Sequence, residues 1–291
     1  MGRLLDEVKA SCARIAASAR SVAIDLDRAA EFAPAPPPAL DPERHYLEGP
    51  REDVATYLLT LDAINFGSGW FPTLSKRPGS SGYFTVARAL ADRFRERGPW
   101  TGDELAALDA AEVADVLGQD PRHELMGLYA AALRELGVFL GDRGALDVVA
   151  EAGGSAEWLA ASLAEGMPLF RDPGFYKRAQ IVANDLSLAG LAEFGDIDRL
   201  TIFADNLVPH VLRVDGVLRY DPALAARIDA GELLPPGREE IEIRACALHA
   251  CELIAASTGV PPRVIDVRLW NRGQEPRYKA IPRHRTRTTN Y

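Results

Sequence analysis

The sequence predicts a mainly α-helical fold in one domain, on three observations. Apolar residues return every three or four positions through most of the chain. Strand-like letters are confined to one short stretch. The 291 residues are 47% hydrophobic and 26% charged, a balance that leaves ample apolar surface for a core. At roughly 100–200 residues per domain, this length suits one large domain or two small ones. The expectation is a single helical domain over residues 1–291, in which 1–50 form an N-terminal helical extension and a Pro-rich connection.

The elements follow in order. Residues 1–20 are Ala-rich and amphipathic, and Pro34, Pro36, Pro37 and Pro38 then impose an extended connection. A helix over 51–66 runs into Gly67-Ser68-Gly69, and another over 82–97 ends near Gly98-Pro99. Thr101 followed by Glu104 spells a capping box that opens one or two short helices before Gly118. Arg122 to Leu140 is a long amphipathic run, and Ser155 can cap a helix at 156–165. In 174–193, Phe175, Ala179, Val182, Leu186 and Ala189 step by four, three, four and three, with Lys177, Gln180 and Asn184 on the opposite face. A second stripe, Ile243, Cys246, Ala247, Ala250 and Ile254, marks a helix at about 238–258, whose start carries Glu239, Glu240 and Glu242 as its dipole favours. Residues 211–219 read either as a small hairpin turning at Asp215-Gly216 or as a helix end followed by a turn.

Charge and cysteine usage narrow the function classes. Lys and Arg number 33 against 42 Asp and Glu, so the formal charge is 33 − 42 = −9. A net negative field repels phosphate backbones, so neither a stable nucleic-acid complex nor a basic duplex-binding surface is expected. Cys12, Cys246 and Cys251 make no disulfide framework and read as buried thiols. No stretch approaches the roughly 18 apolar residues of a membrane span, and the first residues lack a signal-peptide apolar block. No membrane partner is expected, and the cytoplasm is the expected compartment. His45, His123, His210, His249 and His284 are scattered without ligand spacing, so no metal is expected. Phosphate-loop, dinucleotide, zinc-protease and nucleophile-elbow motifs are missing.

Three segments look unlike scaffold. Asp62-Ala63-Ile64-Asn65-Phe66-Gly67-Ser68-Gly69-Trp70-Phe71 sets aromatics beside glycines at a helix end, as in a wall that stacks a planar ring. A buried helix C-terminus capped by Gly is the plainer account. Asp205 ends the apolar run Leu200-Thr201-Ile202-Phe203-Ala204, where its carboxylate is either desolvated and basic or an ordinary cap before Pro209. Lys177, taken alone, reads as a solvated face residue. From Arg272 to Tyr291 the side chains carry six positive charges and one negative, which suits either a small phosphate or a frayed tail.

Taken together, these motifs resemble the queuosine salvage protein family. The likeness runs through Phe175-Tyr176-Lys177-Arg178-Ala179-Gln180, then Leu200-Thr201-Ile202-Phe203-Ala204-Asp205, Val208-Pro209-His210, Glu240-Ile241-Glu242, Val264-Ile265-Asp266-Val267 and His284-Arg285-Thr286-Arg287. The chain departs from many relatives at Asn184, Asn206 and 67–70. The resemblance implies an all-helical fold similar to helix-hairpin-helix DNA glycosylases, with at most a small β-hairpin. It also implies hydrolysis of the N-glycosidic bond of queuosine 5′-phosphate, releasing queuine, with no cofactor because water is the second substrate. An Asp and a Lys at the reacting centre fall on Asp205 and Lys177. Asp205 would stabilise positive charge on the ribose and activate water; Lys177 would orient Asp205 or meet the ribose phosphate. Asn65, Phe66, Trp70, Phe203 and Asp266 are the candidates for the base, and Arg244, His284 and Arg285 for the phosphate. Two other readings stand beside it: a glycosylase for DNA or other nucleotide bases, faintly suggested by Leu233-Leu234-Pro235-Pro236-Gly237, and a non-catalytic helical binding module.

Overall fold

The computed structural model describes residues 3–31 and 39–291; the expected Pro34–38 connection lies outside them. In chain order the elements are α1 (Leu4–Ala17), β1 (Val22–Ile24), α2 (Arg51–Ala63), α3 (Gly82–Arg97), α4 (Gly102–Ala107), α5 (Ala110–Leu117), α6 (Glu124–Leu140) and α7 (Ala145–Glu151). After these come α8 (Ala156–Gly166), α9 (Lys177–Leu188), α10 (Val208–Val214), β2 (Leu218–Tyr220), α11 (Pro222–Asp229), α12 (Arg238–Thr258), α13 (Pro262–Arg272) and α14 (Pro276–Lys279). The mainly helical expectation therefore holds.

Local chemistry explains most boundaries. The Thr101–Glu104 capping box opens α4, and Asp109 with Glu112 forms a second one that opens α5. Ser155 caps α8 by accepting from the Trp158 amide. The helix at 238–258 has the predicted limits and stops at Gly259, whose φ of 72° is the left-handed conformation glycine adopts without strain. The helix expected over 174–193 is shorter, because Tyr176 (φ 52°) and Gly190 (φ 67°) both leave helical geometry.

The hairpin reading of 211–219 gives way to the alternative. Val208 to Leu212 of α10 are all buried, and Asp215-Gly216 is the turn that leaves it. Residues 218–220 pair instead with 22–24, antiparallel, in the register Val22 with Tyr220 and Ile24 with Leu218. The β1 strand has only three residues, too few for an alternation to register in the sequence.

Two apolar cores organise the molecule. The first is gathered from α2 to α9, with α2 buried all round from Val54 to Ala63 and α9 from Lys177 to Leu186. The second joins α1 to the helices from α10 onward; Leu5 of α1 reaches the first core, while Val8 and Cys12 pack into the second. Truncating a buried leucine such as Leu58 or Leu248 to Ala would cost about 2–5 kcal/mol.

Residues 200–204 run along the seam between these cores. Leu200 and Phe203 belong to the first, Ile202 and Ala204 to the second. Two-sided burial fixes this extended stretch, and it delivers the next residue, Asp205, to the wall of a cavity.

Candidate active site

Lys177 owes its position to an abrupt helix start. Tyr176 is the only non-glycine with positive φ among the described residues, and Asp172 receives the Lys177 amide on Oδ2 at 3.3 Å. As the first residue of α9, Lys177 extends its ammonium to the end of α2. There Nζ donates to the Asn65 carbonyl (2.9 Å) and to Asn65 Oδ1 (3.2 Å). Burial lowers its pKa to about 8, and the negative charge of Asp205 opposes that shift.

Asp205 is held by its neighbours in the chain. Gln180 accepts the Thr201 amide (2.9 Å), Asp266 Oδ1 accepts the Phe203 amide (2.8 Å), and Arg244 Nε donates to the Ala204 carbonyl (2.8 Å). Asp205 Oδ1 accepts the amides of Leu207 (2.7 Å) and Val208 (2.9 Å) at the start of α10. The cap reading of this residue is realised, and the same residue lines the cavity.

That cavity, of about 760 Å³, is within the range of pockets that enclose small organic ligands. Asn65, Phe66, Lys177, Phe203, Asp205, Asp266 and Arg285 all line it. Its aromatic wall includes Phe71, Tyr83, Phe84 and Trp270; the Trp270 ring meets Tyr83 and Phe84 edge-on at 5.7 and 5.5 Å. The polar wall has two characters. Arg283 and Arg285 come from the C-terminal segment, while Asp185 and Asp266 lie toward α9 and α13. Burial pushes the Asp266 carboxyl well above the usual range, with Asp205 adding to the effect.

Residues 44–291 match the queuosine salvage protein family. A protein of Sphaerobacter thermophilus is 35% identical over 309 aligned residues, covering 96% of this chain and 95% of its own length. Relatives in Mus musculus (29% identical, 84% of this chain and 83% of theirs) and Dictyostelium discoideum (31%, 82% and 79%) follow. All three are named queuosine 5′-phosphate N-glycosylase/hydrolase. The chain belongs to the queuosine salvage protein family.

Three residues expected at the ligand stand elsewhere. Trp70 does not line the cavity; its Nε1 donates to Glu124 at 2.7 Å, tying the end of α2 to α6. Arg244 is fully buried with its fork already engaged. It reaches Asp172 at 2.5 Å and Glu240 at 3.5 Å, and its plane lies 3.9 Å from the Phe175 ring. It holds the wall in place, with four of its five N–H groups bonded to Ala204, Asp172 and Glu240, and it does not line the cavity. His284 is buried, and burial pushes its pKa down to about 3, so at neutral pH it carries no charge to offer an anion. Its backbone carbonyl instead accepts from Asn206 Nδ2, which fixes the segment carrying Arg283 and Arg285.

Gly67 and Gly69 serve that same segment rather than a stacking wall. The Gly67 amide donates to the Tyr291 carbonyl at 2.9 Å, and a Cβ on Gly69 would collide with the Thr286 carbonyl. The basic C-terminus is thus docked, with Thr286 and Tyr291 buried.

Sequence reasoning also missed contributors. Lys177, Gln180 and Asn184 are buried rather than solvated, because both faces of α9 are covered. Lys177, Ile181, Asn184, Asp185 and Leu188 all line the cavity, a helical stripe that could be found only by counting the polar residues as part of it. Arg283, next to the two residues expected at the phosphate, also lines the cavity. Burial lowers its pKa, and Asp205 partly offsets this.

Proposed function

We propose that this protein hydrolyses the N-glycosidic bond of queuosine 5′-phosphate, releasing queuine and ribose 5-phosphate for salvage of the base into tRNA modification. The observation that carries the reading is the position of Asp205. It is a carboxylate fixed on the wall of a ligand-sized cavity, with Lys177 buried beside it and Arg283 and Arg285 on the same wall. The names of the relatives point the same way.

Cleavage builds positive charge on the ribose ring as the base departs. Asp205, held by two backbone amides through Oδ1 alone, keeps Oδ2 for that charge and for the proton of the attacking water. The leaving base has carbon in place of the ring nitrogen that a purine would protonate, so its departure relies on hydrogen bonds along its other edges. Asp266, whose burial favours the protonated form, is placed on the cavity wall to meet those edges. Phe203 and Trp270 offer aromatic surface to the bicyclic base. Arg283 and Arg285 suit the 5′-phosphate, each contact giving about 1.5–3 kcal/mol as a charge-assisted hydrogen bond.

Water is the second substrate in this scheme. A free nucleotide, rather than a nucleic acid or a membrane, is the proposed partner, in keeping with the charge of −9. The reducing cytoplasm is the proposed setting, supported by three buried free thiols. The test is incubation of the purified protein with queuosine 5′-phosphate and chromatography of the products. Free queuine at a rate proportional to enzyme supports the reading; intact nucleotide after prolonged incubation rejects it.

A further inference from the structure

Charges of both signs line the cavity. Arg283 and Arg285 mark one part of the wall, and Asp205 is the acid that acts on Arg283. Lys177 follows, and beyond it, two turns along α9, come Asn184 and Asp185. At 1.5 Å per residue these stand roughly 10–12 Å from Lys177 along the helix axis. On α2 lies Asp62, wholly buried, and the negative charge of Asp185 raises its proton affinity on top of the effect of burial.

Lys177 acts on both acids from a distance, and Arg178 on Asp62. Among the described residues neither Asp62 nor Asp185 has an ion-pair partner within 4 Å; nearby Arg44 is paired to Asp41 at 3.0 Å. Asn184 donates through Nδ2 to Asp185 Oδ1 at 3.1 Å, which directs its carbonyl oxygen away from Asp185. That oxygen is buried without a hydrogen-bond partner, in a residue 2% exposed that lines the cavity. Asp62 Oδ2 is likewise unpartnered. Unmatched buried acceptors cost about 1–3 kcal/mol each, so a donor that reaches them is favoured. No three His, Cys, Asp or Glu side chains among the described residues are grouped as metal ligands, which leaves an organic cation as the matching ligand chemistry.

We infer that Asp185 and Asn184 form a receptor for the positively charged amine on the 7-substituent of the base, and so set specificity for 7-aminomethyl-deazaguanines over uncharged analogues. The inference rests on the proposed substrate. In queuine a secondary amine joins the methylene on carbon 7 to the cyclopentenediol, and once protonated it carries two N–H donors. One meets the Asp185 carboxylate and the other the free oxygen of Asn184. The nucleotide then lies along the cavity as a dipole, its phosphate toward Arg283 and Arg285 and its ammonium toward α9.

Calorimetric titration of the full-length protein with three free bases tests this: queuine, 7-aminomethyl-7-deazaguanine and the uncharged 7-cyano-7-deazaguanine. The wild-type protein is expected to bind the aminomethyl base at least tenfold tighter than the cyano base, a comparison that needs no variant. Asp185→Asn and Asn184→Leu are each expected to weaken the aminomethyl base tenfold or more and to leave the cyano base within about twofold. Equal affinity of the wild type for the two bases, or parallel losses for both in the variants, overturns the inference. Failure of the proposed activity is separable, since it appears as no release of queuine from queuosine 5′-phosphate. Hydrolysis without charge discrimination sinks the receptor alone.

Discussion

Lys177 Nζ sits 2.9 Å from the carbonyl of Asn65, just past the end of α2, so the amine that opens one central helix is held where another finishes. The C-terminal end of a helix favours a cation, and this partly offsets the cost of burying the charge. With its pKa lowered to about 8 by burial, Lys177 is charged below that pH and loses its charge above it. The rate of base release should therefore fall as pH rises through about 8. A Lys177→Met variant should be slower by at least tenfold at pH 7 and should lack this alkaline limb. A variant with the wild-type pH profile contradicts a role for the ammonium.

The two duties of Asp205 can be separated. Asn can still accept the Leu207 and Val208 amides, so Asp205→Asn should unfold within about 0.5 kcal/mol of wild type, whereas Asp205→Ala should lose about 1 kcal/mol with the cap. Denaturant titration of the pair checks this. Equal stability of the Asn and Ala variants means that the cap contributes nothing.

Arg283 and His284 are adjacent yet should behave oppositely. Arg283→Gln should raise KM for the nucleotide at least tenfold while leaving the nucleoside little changed, because it removes a charge from the cavity wall. His284→Gln, at a buried and uncharged ring, should affect stability and spare the preference for nucleotide over nucleoside. The ratio of the two KM values for each variant decides. A His284 variant that loses the preference returns the phosphate to the imidazole.

Burial raises the Asp185 pKa to about 7, in a setting that includes Asp62 from α2, Lys177 on its own helix, Asp266 from α13 and Tyr83 from α3. A carboxyl with a raised folded pKa contributes stability below its unfolded value near 4, and that contribution is lost as pH rises through about 7. Asp185→Asn does not titrate, so its stability relative to wild type should improve from pH 5 to pH 8, by at most about 3 kcal/mol. Thermal unfolding at the two pH values measures the change; a constant difference means that Asp185 is not strained by its burial.

Much of this was legible in the sequence, for identifiable reasons. Helix 238–258 and the Thr101 capping box are local signals, and local signals survive folding. Asp205 could be singled out because it closes an apolar run that only a two-sided burial explains. Arg244 was misread because a guanidinium looks the same in sequence whether it waits for a ligand or is already bound to Asp172, 72 residues away. His284 was misread for a related reason: imidazole charge depends on burial, which a basic neighbourhood of Arg283, Arg285 and Arg287 conceals. Asp185 escaped notice because a polar stripe on a helix normally faces water, and here it faces the interior of a cavity.

The most direct measurement is single-turnover release of queuine from queuosine 5′-phosphate by Asp205→Asn, under conditions where binding is saturated. A nearly isosteric loss of one negative charge should slow the chemical step at least a hundredfold while the fold and the affinity for queuine persist. Release at the wild-type rate would mean that the bond breaks without this carboxylate.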